Sequence, residues 1–167
     1  MSLSMHGASV AVFVRTLSGM LVWLDKAQAH AEARKFDPVN YLGLRLAPDM
    51  LPLTRQIQIA TDGVKGCIAR LAGLEVPKWE DTEATLDELR ARIRKAIDYA
   101  QSVPAAQIDG SEARQISLPQ RSGEPLLFTG EAFLKHYALP NFYFHCTTTY
   151  ALLRQAGVAL GKRDFLA

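Results

Sequence analysis

Residues 134–157 read LKHYALPNFYFHCTTTYALLRQAG, an aromatic-rich run that carries His136, Asn141 and His145 around Pro140 and closes on Gly157. Whether this is a helix with an inward polar face decides the fold, because buried polar groups cost free energy unless something satisfies them. At about 100° per residue, Asn141 and His145 project within roughly 40° of each other. Leu134, Tyr137, Thr148 and Leu152 share that face. His136 lies roughly 140° from Asn141 on an unbroken helix and belongs to another surface. Pro140 has no N–H and clashes with the carbonyl of His136, which predicts a kink and a carbonyl in need of a new partner.

Working outward, apolar residues recur from Val10 through Phe13, Leu17, Met20, Leu24, Ala27 and Ala31 at the spacing of one buried stripe. This predicts helix 1 from near Met5 to Lys35, with Asp37-Pro38 suited to a new cap and first helical position. Met50, Leu53, Ile57, Val64, Ile68 and Leu71 define helix 2, closed by Gly73. Thr85 and Glu88 have capping-box spacing before helix 3, which follows Leu86, Leu89, Ile93, Ile97, Ala100 and Val103 to Pro104. RQISL and PLLFT, joined by PQRSGE, read as a small hairpin. Thr129 then caps helix 4, which runs to Gly157. The expected fold is an all-α four-helix bundle, one domain over residues 1–167, with the hairpin inserted between helices 3 and 4.

The composition, 49% hydrophobic and 22% charged, suits a chain with a substantial core. Before the first apolar run there is no basic leader, and Arg15 interrupts that run, so neither secretion nor membrane insertion is expected and the cytoplasm is the default location. A net charge of +2 implies no polyanionic partner. The basic residues Arg90, Arg92, Arg94 and Lys95 lack interleaved aromatics, so they read as a solvated face and not a nucleic-acid surface. Cys67 and Cys146 have neither metal-finger nor Cys-x-x-Cys spacing, and Cys146 reads as packing.

An i, i+4 pair such as Asn141 and His145 can chelate a metal, although Asn is a weak neutral ligand beside His. Helix 2 offers complements, since Gln58, Asp62 and Lys65 form a polar stripe at i, i+4, i+7. Asp62 would be the best additional ligand; alternatively, it is half of a surface ion pair with Lys65 or Arg55. The more ordinary reading makes His145 a hydrogen-bonded core histidine and Asn141 a group that satisfies backbone after the proline. Phe142, Tyr143, Phe144 and Tyr150 spread aromatic area around most of helix 4. Either a homodimer or the hairpin and the terminal tail would cover it. In that tail, Phe165 and Leu166 are candidate anchors, with Asp164 pairing Arg154.

HCTTTYALLRQAG resembles the last helix of the DinB/YfiT-like superfamily, and QIATDG resembles its helix 2. SLSMHGASVAVFVR, LAPDMLPLTRQIQIATDGVKG, ALPNFYFHCTTTYALLR and GKRDFL together resemble the bacterial domain-of-unknown-function 1993 family within that superfamily. The resemblance implies a bundle with a three-histidine metal site at its mouth, in a superfamily several of whose members act on thiol-linked substrates. Carried over by position, the ligand places fall on Gln58, Asn141 and His145. Only the last is histidine, and two amides in place of imidazoles reduce affinity for zinc or nickel. One expectation is therefore a modified polar site that takes a divalent metal such as Zn or Ni, or a small molecule. Gln58, Asp62, Asn141 and His145 would form it, with Thr148, Lys65 and His136 as further polar candidates. The other is a non-catalytic dimeric scaffold or stress-related binding protein that has lost the metal site.

Overall fold

A computed structural model describes residues 3–120 and 122–166, so Arg121 of the hairpin's joining stretch and the ends of the chain, Met1, Ser2 and Ala167, lie outside the described residues. Helix α1, Met5–Arg34, is capped by Ser4, whose hydroxyl accepts from the Gly7 N–H, and ends at Lys35 in the left-handed region. Asp37 caps a single 3₁₀ turn, Pro38–Tyr41, by accepting from the Val39 N–H. Helix α2, Leu53–Ala72, stops at Gly73, whose φ of 71° suits glycine. Helix α3, Leu86–Ser102, carries the expected cap at Thr85, which accepts from the Glu88 N–H. The reciprocal bond is shifted by one residue, because Glu88 accepts from Ala84 and not from Thr85. After a short α4, Ala105–Ile108, the strands β1, Gln115–Leu118, and β2, Leu126–Thr129, pair antiparallel with Ile116 opposite Phe128.

The fourth long helical stretch is not continuous. Thr129 caps α5, Gly130–Phe133, which passes through a π-helical turn, Leu134–Ala138, into α6, Leu139–Gln155. In that turn the Leu139 N–H bonds the Leu134 carbonyl five residues back. The wide turn lies immediately before Pro140, which can donate nothing to the carbonyl at His136; an inserted π turn is one of the recognised ways a helix absorbs such a break. A last short helix, α7, Lys162–Leu166, follows.

The long helices form a closed ring of contacts, with α2 against both α6 and α3, and α1 against both α3 and α6. One continuous cluster of buried side chains fills the middle, with Phe13, Leu17, Met20, Trp23 and Leu24 from α1 meeting Ile57, Ile68, Leu89, Ile93 and Phe142. Gly130 lets the start of α5 lie close against the loop between α4 and β1, since a Cβ there would stand 2.0 Å from the Ser111 carbonyl oxygen. Helix α1 is long and apolar enough by length and composition to cross a membrane, despite Arg15, but 44% of its most apolar window is buried inside the protein.

The α7 tail docks through Phe165 as expected, but its other two groups differ from the expectation. Phe165 stacks on Trp23 with centroids 5.4 Å apart, while Leu166 stays exposed. Asp164 pairs with Lys26 at 2.6 Å, not with Arg154, and its carbonyl accepts from the Trp23 indole at 2.8 Å.

Candidate functional site

Helix α2 carries two polar stripes that face different neighbours. Gln58, Thr61, Asp62 and Lys65 turn toward α3 and the connection before it. There Arg92, with a side chain only 2% exposed, uses every guanidinium nitrogen. Its Nε donates to Thr61 Oγ1 at 2.9 Å, Nη1 to the Glu80 carbonyl and Glu83 Oε1, and Nη2 to Asp62 Oδ1 and Asp81 Oδ1 at 2.8 and 2.9 Å. Gln58 donates to Glu83 at 2.7 Å and accepts from Arg55, which also pairs with Asp81. Lys65 pairs with Asp62 at 2.8 Å and lies 4.6 Å from the Trp79 ring centroid. Three cations, Arg55, Lys65 and Arg92, thus answer three carboxylates, Asp62, Asp81 and Glu83.

Burial raises the Glu83 carboxyl, but hydrogen bonds from Arg92 and Gln58 outweigh it and hold its pKa below the ordinary value. Asp81 is held down in the same way, burial being outweighed by Arg55 and Arg92. This clasp straps residues 80–83 to α2 and α3. Reading Arg90 and Arg92 as a solvated face is therefore corrected: both are buried, and Arg90 ties α3 to Asp25 and the Leu24 carbonyl of α1.

The second stripe, Gln56, Gly63, Cys67 and Arg70, turns toward α6 and the π turn. His145 does meet an amide of α2, but that amide is Gln56, with Nδ1 2.7 Å from Oε1. Gln56 Nε2 donates to the Leu51 carbonyl at 2.9 Å, which leaves Oε1 as the acceptor and fixes the Nδ1–H tautomer. Burial lowers the His145 pKa, so the ring is neutral at pH 7. The expected meeting of His145 with Gln58 and Asp62 is thus not the arrangement found. Residues 56 and 58 stand roughly 160° apart around the helix, and Gln58 and Asp62 are held by the clasp. Thr148 donates to its own helix at the Phe144 carbonyl, and His136 is exposed in the π turn.

Asn141, one turn before His145, reaches a different space. A cavity of about 200 Å³ opens between α2, β1 and the π turn. Ile59, Leu118, Phe133 and Ala138 form its apolar wall, and Asp62, Arg70, Tyr137 and Asn141 its polar one. The Asn141 amide lies over Gly63, where an added Cβ would stand 3.9 Å from Nδ2. Cys67 also lines the space, and burial pushes its thiol far up, so it stays protonated and unreactive. Tyr137 was placed on the face of Asn141 by the sequence but not named as a site residue, and Arg70 was not singled out at all; extending the Gly63, Cys67 stripe by three residues would have found the arginine.

The sequence profile described as Domain of unknown function (DUF1993) matches residues 5–166. The chain belongs to this DUF1993 family. It is also 40% identical to a DinB family member protein from Shewanella denitrificans, whose crystal structure matches it with a TM-score of 0.87 over 97% of this chain and 91% of that one. No curated protein matches the chain. The donor set of this DUF1993 protein does not fit the three-ligand metal centre that the resemblance implies. Asp62 Oδ1 is taken by two cations, Gln58 by Arg55 and Glu83, and Asn141 and His145 serve different surroundings. Among the described residues no three His, Cys, Asp or Glu side chains gather as a set that could hold a metal ion.

Proposed function

We propose that this DinB-like protein, a cytoplasmic four-helix bundle, binds a small organic molecule in the cavity beside the π turn, without a metal and without covalent catalysis. One observation carries the reading: Pro140 and the π turn bring Tyr137 and Asn141 to an apolar-walled space that Gly63 leaves open. Concave apolar sites with a few convergent polar groups are the usual form of small-molecule sites, and π turns recur at such places. The protonated Cys67 and the absence of a nucleophile and base pair among the lining residues favour binding over bond-breaking. Ligand-observed NMR with a fragment library tests this. Hits should compete with one another and lose binding in Gly63→Leu, which fills the space; a library without hits, or hits indifferent to that substitution, overturns the reading.

A second reading concerns assembly. The tail covers Tyr150 and the core takes Phe142, but Tyr143 and Phe144 remain 38% and 56% exposed on α6. That residual aromatic face supports the homodimer expected from the sequence.

A further inference from the structure

Resting on the cavity reading above, we infer that the ligand is a small carboxylic acid, bound as its anion with Arg70 as counter-charge. The clasp across α2 is internally balanced, three cations against three carboxylates, so Asp62 brings no free negative charge to the cavity wall. Arg70 is different. Half-buried on the same wall, it bonds only the Gly66 carbonyl, through Nη1 at 3.0 Å, and has no acidic partner among the described residues. Its position is also made room for. A Cβ at Gly66 would stand 2.6 Å from Arg70 Nη1, so glycine there lets the guanidinium fold back against α2 at the cavity. A guanidinium offers five donors in a planar fork that fits a carboxylate with two parallel bonds, and one bond to a carbonyl leaves most of them unused.

Beside this charge, Tyr137 and Asn141 offer hydrogen-bonding groups, and the apolar wall of Ile59, Leu118 and Phe133 excludes a bare, strongly hydrated ion in favour of a hydrocarbon body. At about 30 Å³ per water, the space takes roughly six or seven waters, the size of a short organic acid.

The test titrates the full-length protein with acetate, butyrate, hexanoate and benzoate, with butyramide and hexanamide as uncharged counterparts, and with inorganic phosphate, all at constant ionic strength. Binding is followed by the Asn141 side-chain amide in ¹⁵N NMR and by thermal shift. Saturable binding of butyrate or hexanoate is expected, weakened about tenfold or more in Arg70→Gln. Gly66→Ala displaces only the end of a flexible side chain and should weaken the acids likewise while the amide spectrum stays folded. Amides that bind as well as the acids overturn the anion assignment and leave the cavity reading standing. Phosphate that competes as well as butyrate overturns the carboxylate class. Acids whose binding is unchanged in both variants overturn the role of Arg70, and failure of every compound overturns the cavity reading itself.

Discussion

Arg92 and His145 show opposite uses of a buried polar side chain. Arg92 has its charge and all three nitrogens answered, so its removal leaves the largely buried Glu83 carboxylate without its cation, with only the Gln58 amide still bonded to it. Breaking a buried pair from one side costs about 3 kcal/mol or more. Arg92→Leu is therefore expected to lower Tm by about 6–12 °C for a chain of this size, measured by calorimetry. His145 is buried neutral, with a folded pKa below its unfolded value near 6.5. The unfolded chain then binds the proton more readily, so the contribution of His145 is complete above about pH 6.5 and declines as pH falls below it. Urea unfolding at pH 7.5 and 5.5 should show this loss, and His145→Gln should remove that part of the slope. Neither role follows from residue type alone, because the sequence shows a histidine and an arginine but not what lies across from them.

Helices α1, α2 and α3 were readable because each has a single apolar stripe and a chemical stop: Lys35 before Asp37-Pro38, Gly73, and Thr85 at the start of α3. The hairpin was readable from its β-prone pieces around Gly123. For the last helix, Pro140 signalled a disturbance but not its form, since a missing N–H does not specify which carbonyl finds a new partner. The site was only half legible. The Gln58, Asp62, Lys65 stripe is real, but α2 is buried on two sides, so periodicity could not say that this stripe faces α3 and that Gln56 faces His145. Pro140→Ala restores the missing donor, and we expect the π turn to relax toward regular α-helix. Hydrogen exchange should then show new protection at position 140, and the Asn141 side-chain resonances should move.

Across the molecule, the ring of long helices is closed at its edges by two charged fastenings: the clasp over residues 80–83 and the tail held by Lys26 and Asp164. Glu83 and Asp81 titrate below their ordinary values, so the clasp is fully effective above about pH 4.5 and is lost as pH falls through their lowered folded values. Acid unfolding should begin there, with Glu83→Gln showing a shallower acid limb. Light scattering coupled to size exclusion should report a dimer, and Phe144→Ser with Tyr143→Ser should yield a folded monomer; a wild-type monomer at high concentration would remove the self-association reading. The chain has two tryptophans, and each sits in one of these fastenings: Trp79 between Lys65 and Lys95, Trp23 beneath Phe165. Replacing either one by Phe leaves a protein with a single tryptophan, so emission excited selectively at tryptophan can time the release of one fastening without a signal from the other.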